Sequence, residues 1–236
     1  MKKIVHRADS RGLADHGWLR SYHTFSFAGY HNPDRMHFGK LRVLNDDTVD
    51  PGQGFGTHAH DNMEIVSIPL QGALLHKDSM GNAHEIEAGE VQVMSAGTGI
   101  THSEFNRSDT EPVNFLQIWI LPKLRNIRPH YEQKTFAAAE RQGHFQVLIS
   151  PDRQHGSLWI NQEAYFSMAE LSAGSKGVYS VKKSGNGVYA FLIAGNIDVE
   201  GEQLVKRDAI GFYGQSAVEF AAKENSSILC IEVPLD

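Results

Sequence analysis

Apolar residues alternate with polar ones, or gather in short blocks, along most of this chain, and glycines break the pattern at close intervals. The stretches LRVLND (41–46), MEIVSIPLQG (63–72), ALLHKDS (73–79), AHEIEAG (83–89), EVQVMSAG (90–97) and VNFLQIWIL (113–121) all carry this signature. A period of two puts every second side chain on one face of a sheet, and β-branched and aromatic residues fit that pleated surface. DSMGNAHE sets a Gly-Asn pair between two such runs and predicts a hairpin. Helical periodicity is scarce. Its best candidate is TFAAAERQ (135–142), with Thr135 as the N-cap. Many short strands separated by regular turns predict an all-β sandwich or barrel.

The pattern also repeats. PLQGALLHKDSMGNAHEIEAGEVQVMS and FLIAGNIDVEGEQLVKRDAIGFYG share the order strand, glycine turn, strand, turn, strand, and the endings LQIWILP and LCIEVPL match in the same way. Self-similarity of this kind predicts duplicated units. The bounds are 1–124 for the first barrel, 125–155 for a joining stretch holding Pro129, Pro151 and the helix candidate, and 156–236 for the second barrel.

Composition narrows the function classes. With 41% hydrophobic and 21% charged residues, this is an ordinary globular chain, long enough to bury a substantial core. A net charge of −6, with the 22 basic residues scattered, argues against direct nucleic-acid binding, which needs a basic face. No apolar run approaches the roughly 20 residues of a membrane helix, and MKKIVHRADS lacks the apolar core of a signal peptide. A cytoplasmic protein with no membrane contact is expected. The lone Cys230, in the apolar run SSILCIEVP, reads as a buried core residue.

Of the 13 histidines, ten lie at or before His102 and none follows His155, so a multi-histidine site must be built mainly by the first half. GFGTHAHDNMEI places His58 and His60 two apart, on one face of a strand. Alone, that pair fits a surface, a core or half of a metal site. GTGITHSEFN adds His102 and Glu104 with the same spacing. On a neighbouring strand, the second pair would bring three imidazoles and one carboxylate together inside a barrel. Such donors suit Fe, Mn, Ni, Cu or Zn and leave open positions on an octahedral ion, which points to chemistry rather than a closed structural site. The remaining candidates have plainer readings. His23 packs or hydrogen-bonds near the first barrel, and His76 and His84 flank the hairpin as exposed or cross-strand neighbours. Phe25, Phe27, Phe55, Phe115 and Trp119 are expected in the core, with a minority at the mouth of the site. GQGFG is read as turn glycines, because no helix with Lys-Ser/Thr follows it.

GQGFGTHAHDNMEIVSIPLQG resembles the first motif of the cupins through Gly52, His58, His60 and Glu64, with Gly72 one residue late. GEVQVMSAGTGITHSEFN resembles the second motif through Gly89, Gly97, His102 and Asn106, with Ser95 where that motif has proline and a longer TGIT segment. These departures, together with YHTFSFAGYHNP and DSMGN, are similar to the pirin family over nearly the whole chain. The resemblance implies two tandem cupin barrels (double-stranded β-helix, or jelly-roll) with little helix. It also implies one divalent transition metal in the first barrel, held by His58, His60, His102 and Glu104. Iron(II) is expected, with Zn, Mn, Ni, Co and Cu as alternatives. A general cupin would use Glu64, whereas the pirin pattern uses Glu104 and leaves Glu64 to orient a histidine or to lie on a solvated strand. GVYSVKKSGNGVYAF (177–191), in the place of the first motif, has no histidine, so the second barrel is expected to lack a metal and to close the core. The implied activity is that of a metal-dependent quercetin 2,3-dioxygenase, acting on a flavonol and dioxygen with Glu104, or alternatively Glu64, as general base, in a monomer. The alternative is a metal-dependent regulatory module that binds a protein partner without dedicated catalysis.

Overall fold

The computed structural model describes residues 2–236, and no α-helix occurs among them. The first half and the start of the joining stretch give β1 (Lys2–His6), β2 (Gly12–Asp15), β3 (Leu19–His23), β4 (Leu41–Val49), β5 (Gly54–His60), β6 (Glu64–Gln71), β7 (Ala73–Asp78), β8 (Ala83–Glu87), β9 (Glu90–Ser95), β10 (Ile100–Asn106), β11 (Val113–Ile120) and β12 (His130–Thr135). The rest gives β13 (Gln146–Ser150), β14 (Leu158–Trp159), β15 (Tyr165–Leu171), β16 (Lys176–Ser180), β17 (Asn186–Ala194), β18 (Asn196–Val199), β19 (Glu202–Val205), β20 (Ala209–Tyr213), β21 (Ala217–Ala222) and β22 (Ser226–Pro234). Every alternating run named above forms a strand, and the Gly-Asn pair turns the β7–β8 hairpin.

The expected helix at 135–142 does not form. Thr135 ends β12, and only Ala138–Arg141 winds into a 3-10 turn. Lys134 and Thr135 are held in the ladder opposite Val91 and Glu90, and Phe136 is buried. One short turn of alanines cannot offset that pairing, because the first turn of a helix is its costly step.

The strands form two pairs of sheets. One seven-stranded sheet has the order β12-β9-β6-β11-β4-β3-β2 and faces a four-stranded sheet β5-β10-β7-β8. The second half repeats this as β1-β20-β17-β22-β15-β13-β14 with β16-β21-β18-β19. Strands β4 to β11 therefore correspond one for one to β15 to β22, and the matching endings LQIWILP and LCIEVPL fall on the two central strands. The edges are exchanged. β1, from the start of the chain, completes the second half's large sheet against β20, and β12, from the joining stretch, completes the first half's against β9. Sheet membership thus crosses the sequence bounds at 124 and 156.

The two large sheets also bury their outer faces against each other. Leu44, Leu116 and Ile118 from the first half meet Phe166, Phe191 and Ile231 from the second in the main apolar cluster. Because that core belongs to both halves, Phe191→Ala is expected to cost about 3–5 kcal/mol and to lower one shared unfolding transition. Calorimetry checks this: two separated transitions, with only one displaced, would contradict it.

Inside the barrels the halves differ. The second is filled by a continuous cluster that includes Leu171, Val188, Leu192, Phe220 and the buried free Cys230. The first has separate apolar plugs, one around Leu19, Leu74 and Phe115 and one around Ile65, Met94 and Ile100. Polar side chains occupy the space between them. No helix is long and apolar enough to cross a membrane.

Candidate metal centre

β5 and β10 are antiparallel neighbours, with His58 opposite His102 and His60 opposite Ile100. The register then shifts, so that Phe55 lies opposite Glu104 and β5 carries one extra residue. Such a bulge re-aims side chains, and it lets Phe55 and His58, three apart, both line the interior. Gly54 permits the close approach at this point, since a Cβ there would lie 2.3 Å from the Glu104 carbonyl oxygen.

The three imidazoles converge. Ring centroids are 4.8 Å apart for His58–His60, 4.4 Å for His58–His102 and 5.0 Å for His60–His102. One nitrogen from each lies within 4.8 Å of the others. On its other side β10 pairs with β7, which sets His76 opposite Glu104. His76, His102 and Glu104 form a second group with the same spread, so His102 belongs to both.

His76 is the member that the sequence reading missed. It is a cross-strand neighbour of His84, as expected, but only His84 is exposed. His76 is fully buried, stacked 4.8 Å from the Tyr131 ring and 5.4 Å from that of His102. The signal lay in the alternation of ALLHKD, which puts His76 on the same face as the buried Leu74. Glu64 also departs from expectation, being neither a support for a histidine nor solvated. It is fully buried, and its Oε2 accepts from Ser95 Oγ at 2.6 Å and from the Asn161 backbone N–H at 3.1 Å, toward the second half. Burial holds its carboxyl above the usual range. His23 lies in the cavity wall, edge-on to Phe27 and outside both groups.

The electrostatics favour metal-ligating forms. His58 Nδ1 donates to the Gly56 carbonyl at 2.8 Å; a carbonyl only accepts, so the proton is fixed on Nδ1 and the Nε2 lone pair is free. Burial, reinforced by neighbouring imidazoles, lowers His60 to about 4 and His102 to about 3. Both are neutral at pH 7. Neither ring nitrogen of His102 has a hydrogen-bond partner among the described residues, and an orphaned buried polar atom costs about 1–3 kcal/mol. Glu104 is buried and its carboxylate is held from two sides, Oε1 by Ser67 Oγ at 3.0 Å and Oε2 by Gln117 Nε2 at 2.9 Å. Burial raises its pKa, against the opposing influence of His76. Neutral nitrogens without partners beside a buried carboxylate suit a borderline divalent ion, and this donor set fits one.

Above these residues opens a cavity of about 740 Å³, within the roughly 300–1,000 Å³ usual for small-molecule sites. Phe25 and Phe115 are core residues, as expected, whereas Phe27, Phe55 and Trp119 line this cavity. In the second barrel the matching registers put Tyr179, Val199, Val218 and Phe220 where the first has His58, His76, His102 and Glu104. All four are fully buried, so packing fills the equivalent space.

Comparison with known proteins agrees with this architecture. The family model described as Pirin matches residues 5–120, and the one described as Quercetinase C-terminal cupin domain matches residues 147–233. The chain is 41% identical over 230 residues to the quercetin 2,3-dioxygenase of Escherichia coli K12, covering 98% of each. It is 39% identical over 225 residues to a pirin-like protein of Caulobacter vibrioides, covering 95% of this chain and 96% of that one. Among solved structures, the bacterial pirin YhhW from Escherichia coli in complex with nickel(II) matches with a TM-score of 0.94 at 40% identity, over 100% of both chains. Matched in both halves and along its whole length, this chain belongs to the pirin family.

Proposed function

We propose that this pirin is a metal-dependent dioxygenase that cleaves flavonols such as quercetin, with His58, His60, His102 and Glu104 holding one divalent ion. The observation that carries the reading is the convergence of three imidazoles, with a buried carboxylate beside His102, in an aromatic-lined cavity that can take a three-ring molecule. The quercetin 2,3-dioxygenase named above supports the substrate class, and the nickel complex of YhhW supports a divalent ion. Iron(II) is our choice of resident metal. A regulatory module needs no such cavity, which is why we prefer the enzyme.

When bound, the ion supplies Lewis acidity to the adjacent hydroxyl and keto oxygens of the flavonol and lowers the pKa of that hydroxyl. The chain's residues do the rest. The Gly56 carbonyl fixes the tautomer of His58, and Trp119, edge-on to His60 at 5.0 Å, limits the tilt of that ring. Glu104, buried at the base of the cavity, is placed to accept the hydroxyl proton. Ser67 and Gln117 aim its two oxygens, while Phe27, Phe55 and Trp119 cover the flat substrate and keep water out.

Metal-loaded protein given quercetin under oxygen is expected to bleach the flavonol's visible absorbance, and His58→Ala is not. Absence of turnover with iron, nickel, manganese and cobalt across several flavonols would sink the reading.

Retention of the ion should depend on pH in an unusual way. Protons displace metal from ordinary imidazoles as the pH falls through about 6.5. His60 and His102, lowered to about 4 and 3, resist that competition. Dialysis with metal analysis is expected to show release centred below the ordinary imidazole range; release centred on or above about 6.5 would contradict this. The same shifts enter stability. Between pH 6.5 and 4 the unfolded chain binds protons that the folded one refuses, so the contribution of these histidines is present above 6.5 and lost as the pH falls.

A further inference from the structure

Facing the histidine cluster, the large sheet presents a second polar group that the proposed chemistry leaves unused. β3 and β4 lie side by side with Ser21 opposite Asp47 and His23 opposite Asn45. All four line the cavity, and none is more than 4% exposed. One bond connects them, from the Ser21 hydroxyl to Asp47 Oδ1. His23 Nδ1, Asn45 Oδ1 and the indole Nε1 of Trp119 are buried with no partner among the described residues, and each such orphan lowers stability unless something in the cavity meets it.

The second barrel shows that the fold does not need these groups. With Gln117 and Cys230 matched on the central strands, Asn45 corresponds to Ser167 and Asp47 to Ala169. The two ends of the patch also differ in what they reach. Asn45 lies opposite Gln117, the residue that holds Glu104, and Asp47 lies two residues farther along β4, a step of about 7 Å. The chain therefore offers polar contacts at the metal centre and again some distance along the same wall, with aromatic surface around both.

We propose that Asp47, flanked by Asn45 and His23, is a substrate-contacting anchor for ring hydroxyls remote from the metal-facing edge of a flat aromatic molecule, and that it makes the cavity prefer polyhydroxylated rings over bare ones. The proposal rests on the flavonol reading above. Asp47 Oδ2 takes no hydrogen bond from the described residues. Burial raises this carboxyl to about 7 against the pull of Ser21, with the charges of Asp46 and Glu104 adding to the rise. Near neutral pH it can both donate and accept, which suits a phenolic hydroxyl that does both.

The test uses calorimetric binding to metal-loaded full-length protein under nitrogen, where nothing turns over. Quercetin is compared with 3-hydroxyflavone, which keeps the hydroxyl-keto edge and lacks the other hydroxyls. The unaltered protein is expected to bind quercetin at least about tenfold more tightly. Asp47→Ala, which installs the residue of the second barrel, should remove most of that preference by weakening quercetin alone, and Asp47→Asn should restore part of it. An equal loss for both ligands, an unchanged preference, or no preference in the unaltered protein would overturn the anchor. The two readings fail separately. Preference lost in Asp47→Ala without any oxygen-dependent turnover supports the anchor and removes the dioxygenase, whereas turnover with preference untouched does the reverse.

Discussion

His102→Ala is expected to be the most damaging single change to metal content, more so than His60→Ala. The reason is topological. His102 lies on β10, between β5 and β7, and contributes to both groups of donors, His58–His60–His102 and His76–His102–Glu104. Removing His60 leaves the second group intact, with His58 beside it. Removing His102 breaks both. The unaltered protein should hold about one ion per chain. Losing an outer partner of a ligand typically costs 10–100-fold in affinity, and loss of a shared ligand should exceed that, leaving His102→Ala essentially metal-free after dialysis while His60→Ala keeps a weakly held fraction. The double variant should hold none and should not bleach quercetin. The strand geometry does not require an imidazole here, because the second barrel keeps it with Val218 in the place of His102; circular dichroism checks that the variant folds. Two ions per chain in the unaltered protein would contradict the packed second barrel. Equal losses in the two single variants would show that His76 gives no support.

Much of this was legible in the sequence because β structure writes itself with a period of two. Alternation located the strands, and the matching endings around Leu116 and Leu229 located the duplication. His58 with His60, and His102 with Glu104, each share a face for the same reason, so pairing two strands suffices to assemble them. What escaped reading depends on contacts between strands distant in the chain. His76 joins the cluster only because β7 lies beside β10 in the register that opposes it to Glu104. Glu64 has the cupin spacing, yet its carboxylate is captured by Ser95 and by the Asn161 backbone from the other half, 97 residues away. The exchanged edges β1 and β12 look like ordinary strands, and nothing local states which sheet they will join. At 135–142 local helix propensity lost to the β9 ladder. Asp47 gave no signal at all, since an acidic residue in a strand reads as solvent-facing until both sheets are in place.

Glu104→Gln separates the carboxylate's charge from its shape. The introduced amide has nearly the same volume and can still accept from Ser67, and Gln117, whose Oε1 also meets Ser67 Oγ at 3.2 Å, can turn its own amide to match. What disappears is the proposed base. Loss of a positioned general base costs roughly 10²–10⁴-fold in rate, so kcat for quercetin should fall by about that factor while KM changes little. Metal affinity should also drop, and rates are compared per bound ion. The metal-free protein carries an opposite effect. Burial raises the pKa of Glu104, so above the unfolded value the folded chain retains a proton that the unfolded chain has released, and stability falls as the pH rises. Glu104→Gln removes that slope. Its metal-free form should therefore melt higher than the unaltered protein at pH 8 and converge with it near pH 4.5, whereas the metal-loaded forms should rank the other way. A kcat per ion within tenfold of the unaltered value would show that the hydroxyl is ionised by Lewis acidity alone, and Glu104 would then be a ligand without a role in moving the proton.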